Sequence, residues 1–172
     1  LVKVKSNSFN LLFQDNEFNG GNAGLTIEGW SLNPAEQTRV INNRFNETGS
    51  YGVKLMHQLS PQLLGNVFID NVFTGYSIDL SSCTENILIS GNTINKSKYG
   101  RGIVLNTCLA AIPNRIILSN NLIHLGGKVN STSRGIVMSN CERMGIYYNS
   151  IHISSPDTST SSGIAIATGN TG

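Results

Sequence analysis

Apolar and polar residues alternate in short runs along this chain, and the runs recur. A small residue followed by two apolar residues spaced by one occurs as Gly24-Leu25-Thr26-Ile27, Gly52-Val53-Lys54-Leu55, Ser77-Ile78-Asp79-Leu80, Gly102-Ile103-Val104-Leu105, Gly135-Ile136-Val137-Met138 and Gly163-Ile164-Ala165-Ile166. Successive copies start 28, 25, 25, 33 and 28 residues apart. Between them lies a second pattern: an apolar-x-apolar pair, two spacers, then Asn-x-Phe or Asn-x-Ile. It occupies residues 11–18, 38–45, 87–94, 116–123 and 144–151. In one further copy both Asn66 and Asn71 fit, and the distance from Leu55 favours Asn66. Both patterns alternate with period two, so both predict strands with one face buried.

A coil of two or three short strands needs about the 25 to 33 residues seen here, whereas a propeller blade needs about 40. Coils stacked at the strand spacing of about 4.8 Å would turn equivalent residues into columns. Cys83, Cys108 and Cys141 each lie five positions after Ile78, Ile103 and Ile136. Asn16, Asn43, Asn66, Asn92, Asn121 and Asn149 share one place in the second pattern, and a Phe or Ile follows two positions later. Three columns in phase predict an all-β parallel solenoid of about six to seven coils, one domain over residues 1–172. No distinct capping unit is evident at either end, so a piece of a longer protein is expected.

The recurring Gly-Ile-x-Leu and Asn-x-Ile, with a Cys between, resembles the right-handed parallel β-helix repeat of the pectate-lyase-like superfamily. The resemblance covers nearly the whole chain and implies a right-handed coil. It implies no single activity, because that superfamily includes polysaccharide lyases, glycoside hydrolases, tailspikes, adhesins and periplasmic accessory proteins.

Composition agrees with this architecture and excludes others. Charged residues are 13% of the chain against roughly 25% in ordinary soluble domains. Hydrophobic residues at 39% are too many for a disordered chain. No apolar run approaches the roughly 18 residues of a membrane helix, and a net charge of +2 does not argue for nucleic acid. The charges are unevenly spread: residues 1–86 carry five basic and eight acidic side chains, residues 87–172 seven and two.

The inward columns read as structure. Three cysteines without a Cys-x-x-Cys pair suggest a buried thiol ladder, with no metal site and no cofactor expected. The asparagines suggest an amide ladder. Trp30 falls, by counting, in the cysteine column. His57, His124 and His152 appear unaligned and receive no role. Chemistry is therefore expected on outward positions. Glu28, Lys54 and Asp79 come from consecutive coils and form the candidate catalytic group, a base with acid partners suited to polysaccharide cleavage. Val104 follows Asp79 in that column, a departure from a charged catalytic surface. Arg101 and Arg134 precede their glycines and stack as like charges, which calls for an anion between them. With Lys98, Tyr99 and Lys128 in adjacent loops they form the candidate ligand-binding group.

The expectation is a non-catalytic segment of an exported, extracellular or cell-surface β-helix protein. It would be a rigid scaffold presenting a face to an acidic polysaccharide or cell-surface glycan. The alternatives are a fragment of a polysaccharide lyase or hydrolase and a pure spacer or protein-interaction repeat. Self-association or end-to-end contacts through open sheet edges are also expected.

Overall fold

The computed structural model describes residues 2–5, 8–70, 75–127, 131–154 and 161–167. It is a parallel β-solenoid of about six coils. The first repeat builds a seven-stranded parallel sheet from Val2–Lys5, Ala23–Glu28, Tyr51–Met56, Tyr76–Ser81, Arg101–Asn106, Arg134–Ser139 and Ser162–Ile166. Its register follows the sequence columns: Leu25, Val53, Ile78, Ile103, Ile136 and Ile164 lie opposite one another.

The second repeat is two strands per coil, not one. Its first halves, such as Arg39–Ile41 and Leu88–Ser90, form a second six-stranded sheet, and its second halves, such as Arg44–Asn46 and Thr93–Lys96, form a third. The break falls at a residue with left-handed backbone immediately before each ladder asparagine: Asp15, Asn42, Gly65, Gly91, Asn120 and Tyr148, with φ from 53° to 68°. Asp, Asn and Gly enter this region at least cost. Two spacers, where strict alternation would have one, are the mark this corner leaves in the sequence.

The ladder asparagines seal that corner. Asn43 Nδ2 donates to Asn66 Oδ1 at 3.1 Å, Asn66 to Asn92 at 3.0 Å, Asn92 to Asn121 at 2.9 Å and Asn121 to Asn149 at 2.8 Å. Each Oδ1 also takes the backbone N–H of the asparagine one coil earlier. Each Nδ2 also donates to a backbone carbonyl of the preceding coil, as Asn43 does to Phe13.

The corner after the first sheet repeats the device with sulfur. His57, Ser82, Thr107 and Asn140 have φ between 50° and 52°, each directly before Gln58, Cys83, Cys108 and Cys141. The thiols point inward and donate weakly to carbonyls, Cys83 to Leu55 at 3.7 Å and Ser81 at 3.6 Å. Gln58 fills the same place with its amide, donating to Met56 O and accepting from Thr38 Oγ1. Ala35, not Trp30, continues this column, since Ala35 pairs with Gln58. The chain bulges outward between Gly29 and Ala35, leaving Trp30 66% exposed.

Between the three sheets runs an apolar core that includes Leu25, Val53, Phe45, Phe68, Leu63, Ile94 and Leu105. The rings of Phe18, Phe45 and Phe68 stack at 4.7 and 4.8 Å, one rung apart. A Cβ on Gly52 would lie 2.5 Å from the Phe68 ring, which is why the strand's second position is so often glycine.

Candidate functional site

The outer face of the first sheet carries three parallel columns. The middle one runs Lys3, Thr26, Lys54, Asp79, Val104, Val137 and Ala165. On one side stand Tyr51, Tyr76, Arg101 and Arg134, and on the other Lys5, Glu28, Met56, Ser81, Asn106 and Ser139. Glycine or serine after Tyr51, Tyr76, Arg101 and Arg134 points inward, so that these four project outward beside the middle column.

This geometry merges two groups that the sequence suggested separately. Lys54 lies directly opposite Asp79, while Arg101 lies opposite both Tyr76 and Arg134. The Lys54 ammonium sits 4.7 Å from the centre of the Tyr51 ring, and the Arg101 guanidinium 5.0 Å from that of Tyr76. Arg101 Nη1 also donates to the Tyr76 hydroxyl at 3.0 Å, and the two tyrosine rings meet edge to face at 5.6 Å. Cation–π contacts of this kind hold long basic side chains against the sheet.

Asp79 is 4% exposed although it points away from the core, and its Oδ1 has no hydrogen-bond partner. Burial raises its carboxyl above the ordinary range, and nearby Lys54 and Arg101 pull it partly back. Val104 and Val137 continue this covered strip at 1% and 8% exposure. Glu28 is not in the cluster. It pairs across the rungs with Lys5 and Met56, and its carboxylate meets Lys5 Nζ at 3.2 Å. The hydrogen bond from Lys5 holds Glu28 below the usual carboxylate range.

Of the loop candidates, Lys98 is exposed and Tyr99 half-buried, while Lys128 lies outside the described residues. The loop that carries Lys98 is hooked to the preceding coil, where Asp70 Oδ1 accepts from the Ser97 N–H at 2.8 Å. Inside it the Lys96 amine is fully buried and donates to Gly75 O at 2.6 Å. Trp30 gains a surface role: with Lys5, Glu28, Leu32, Met56 and His57 it lines a surface cleft of about 490 Å³.

Two histidines were misread by sequence. His124 and His152 lie directly opposite each other on the third sheet, and their rings stack 5.0 Å apart with planes 9° from parallel. Their column runs Asn19, Asn46, Ile69, Asn95, His124 and His152. Each member stands three positions after a ladder asparagine, so counting from Asn121 and Asn149 would have found the pair. The three cysteines, by contrast, are sealed in the core, and hydrogen bonding to Cys108, then burial, pushes the Cys141 thiol up. Among the described residues no three His, Cys, Asp or Glu side chains converge on one point.

A family model described as periplasmic copper-binding protein (NosD) matches residues 3–171. No curated protein and no solved structure matches the chain.

Proposed function

The chain belongs to the periplasmic copper-binding protein (NosD) family, and we propose that it is an exported β-helix protein whose first-sheet face binds an acidic glycan. The family's periplasmic description supports export. One observation carries the ligand. Arg101 and Arg134 stand opposite each other on neighbouring rungs, and among the described residues no carboxylate lies within 4 Å of either. Like charges at this spacing repel, and a bridging anion relieves the repulsion. Guanidinium groups accept carboxylates in a two-pronged geometry, which favours uronate-type polymers over neutral ones. Lys54 extends the positive strip by one column, and Tyr51 and Tyr76 flank it with ring surface.

A non-catalytic role accounts for the rest of the face. Asp79 is too enclosed to meet a polymer, and Glu28 is engaged by Lys5 in another column. The solenoid supplies rigidity, because every rung pairs with the next.

The test is affinity electrophoresis through gels cast with polygalacturonate, alginate or a neutral glucan, then stained for residual polymer. Retardation in the acidic gels alone is expected, weakened in Arg101→Ala and Arg134→Ala and most evident at low salt, where screening is least. A cleared zone would replace this reading with a lyase or hydrolase and make Lys54 the first target. No retardation and no clearing would leave a spacer.

A further inference from the structure

The corner after the first sheet turns on one left-handed residue at His57, Ser82, Thr107 and Asn140. The coil that begins at Ala23 is built differently. Glu28 lies opposite Met56 and Ala35 opposite Gln58. Two positions separate Met56 from Gln58 and seven separate Glu28 from Ala35, so five residues are inserted here. The insertion is a closed excursion. At one foot the Gly29 N–H donates to Met56 O at 2.9 Å, and at the other the Ala35 N–H donates to His57 O at 3.1 Å. Trp30 and Asn33 exchange backbone hydrogen bonds across its tip. A Cβ on Gly29 would lie 2.2 Å from His57 O, so only glycine lets that foot sit so close. The outcome is an indole, 66% exposed, fixed as one wall of the cleft that Lys5, Glu28, Met56 and His57 also line.

We propose that this cleft is the end subsite of the acidic-glycan track, where Trp30 stacks on the sugar ring farthest from the arginine pair, an inference that rests on the glycan reading above. The track runs diagonally over the first sheet. Arg134 and Arg101 stand on one flank, Lys54 in the middle column, and Lys5 with Glu28 on the far flank. From Arg134 to Glu28 it crosses four rungs and five strand positions, about 25 Å at the usual spacings. Lys3, Lys5 and Lys54 all act on the Glu28 carboxylate, so the surroundings of the cleft are positive in sum and suit a uronate chain. Lys5 meets Oε2 of Glu28 at 3.2 Å, which leaves Oε1 to accept a sugar hydroxyl.

A pyranose ring has an apolar C–H face and hydroxyls at its edge, matching an aromatic wall beside a polar pair. A purely apolar occupant would strip water from Lys5 and Glu28 and return no hydrogen bond. Because the excursion is held at both feet, little order is lost on binding. One ring cannot touch both Arg134 and Trp30. A chain of several rings can, and its second contact is then intramolecular, which raises affinity sharply.

Trp30 is the chain's single tryptophan, so tryptophan fluorescence reports on this cleft alone. The experiment titrates the protein with galacturonate, galacturonate oligomers of increasing length and polygalacturonate, following emission and acrylamide quenching alongside calorimetry. Affinity should step up by about tenfold or more once the chain spans the track. Only spanning chains should shift the emission and shield the indole. Trp30→Ala should weaken spanning chains by about tenfold and leave short ones unchanged, while Trp30→Phe keeps most of the gain. Trp30 is on the surface, and far-UV circular dichroism verifies that both variants fold. Binding that is lost in Arg101→Ala but leaves the emission silent at every length would overturn the subsite and spare the glycan reading. A length dependence that survives in Trp30→Ala would do the same. No arginine-dependent binding at any length would overturn both. An emission shift that follows protein concentration without glycan would assign the indole to a contact between copies and overturn the subsite.

Discussion

Replacing Asn92 by Ala tests whether the amide ladder holds the corner between the second and third sheets. In the native coil Asn92 Oδ1 accepts from the Asn66 backbone N–H at 2.9 Å and from Asn66 Nδ2 at 3.0 Å. Its own Nδ2 donates to Leu63 O and Asn121 Oδ1, both at 2.9 Å. Alanine removes these four bonds and a longer one from Nδ2 to Ser90 O at 3.3 Å, and leaves the buried Asn66 N–H and one Asn66 amide proton without an acceptor. Each orphaned buried group costs about 1–3 kcal/mol, so Asn92→Ala should lose about 2–6 kcal/mol. That is a large share of the roughly 5–15 kcal/mol that a domain possesses. Asn16 supplies the control, since it stands exposed at the N-terminal end of the ladder. Its Nδ2 donates to Asn43 Oδ1, which the Asn16 backbone N–H still reaches after truncation. Asn16→Ala should therefore cost no more than about 1 kcal/mol. Urea unfolding followed by far-UV circular dichroism, with slopes compared so that midpoints report stability, measures both. Equal losses in the two variants would refute the reasoning, because the whole difference rests on the stranded donors of Asn66.

Two further predictions concern buried charge. Burial holds the Lys96 amine down to about 8 from its ordinary 10.5. The unfolded chain therefore binds the proton more readily, and stability should rise as pH climbs from about 8 toward 10.5, by up to about 3 kcal/mol. Lys96→Met should be the more stable protein at pH 7 and should lose that rise; urea midpoints at pH 7 and 9.5 that move in parallel in both proteins would contradict this. Asp79 has the opposite sign. Its folded carboxyl is raised by burial, so its contribution is present below the unfolded value and is lost as pH rises through the folded one. Asp79→Asn should gain on the native protein at pH 7 relative to pH 3.5, and an unchanged difference between the two pH values would count against a charged, enclosed Asp79.

The stacking of coils was legible because columns are a property of spacing. Phe18, Phe45 and Phe68, or Cys83, Cys108 and Cys141, announce themselves by counting alone. The corner inside the second repeat was written there too, as two spacers instead of one, but a period-two reading passes over a single break in parity. Trp30 was misplaced because five positions were counted across a bulge; only the pairing of Ala35 with Gln58 shows where the column resumes. The histidine pair was missed for want of counting from the ladder. The merger of Lys54 and Asp79 with Arg101 and Arg134 needed three dimensions. Strict alternation does not reveal that Tyr51, Tyr76, Arg101 and Arg134 face outward three positions before the middle column, since an extra inward residue intervenes.

The asparagine ladder has a direction. In every rung from Asn43 to Asn149 the side-chain carbonyl points to the coil before it and one amide hydrogen of its neighbour points to the coil after. Each amide has a dipole of about 3.5 D, and dipoles set head to tail add and polarise one another. Strand dipoles largely cancel within a sheet, whereas nothing in the ladder reverses its sense. The column is thus a wire of aligned dipoles through the coil stack, negative toward Asn16 and positive toward Asn149. The potential it adds favours anions at the C-terminal coils, the half of the chain where the basic side chains already gather.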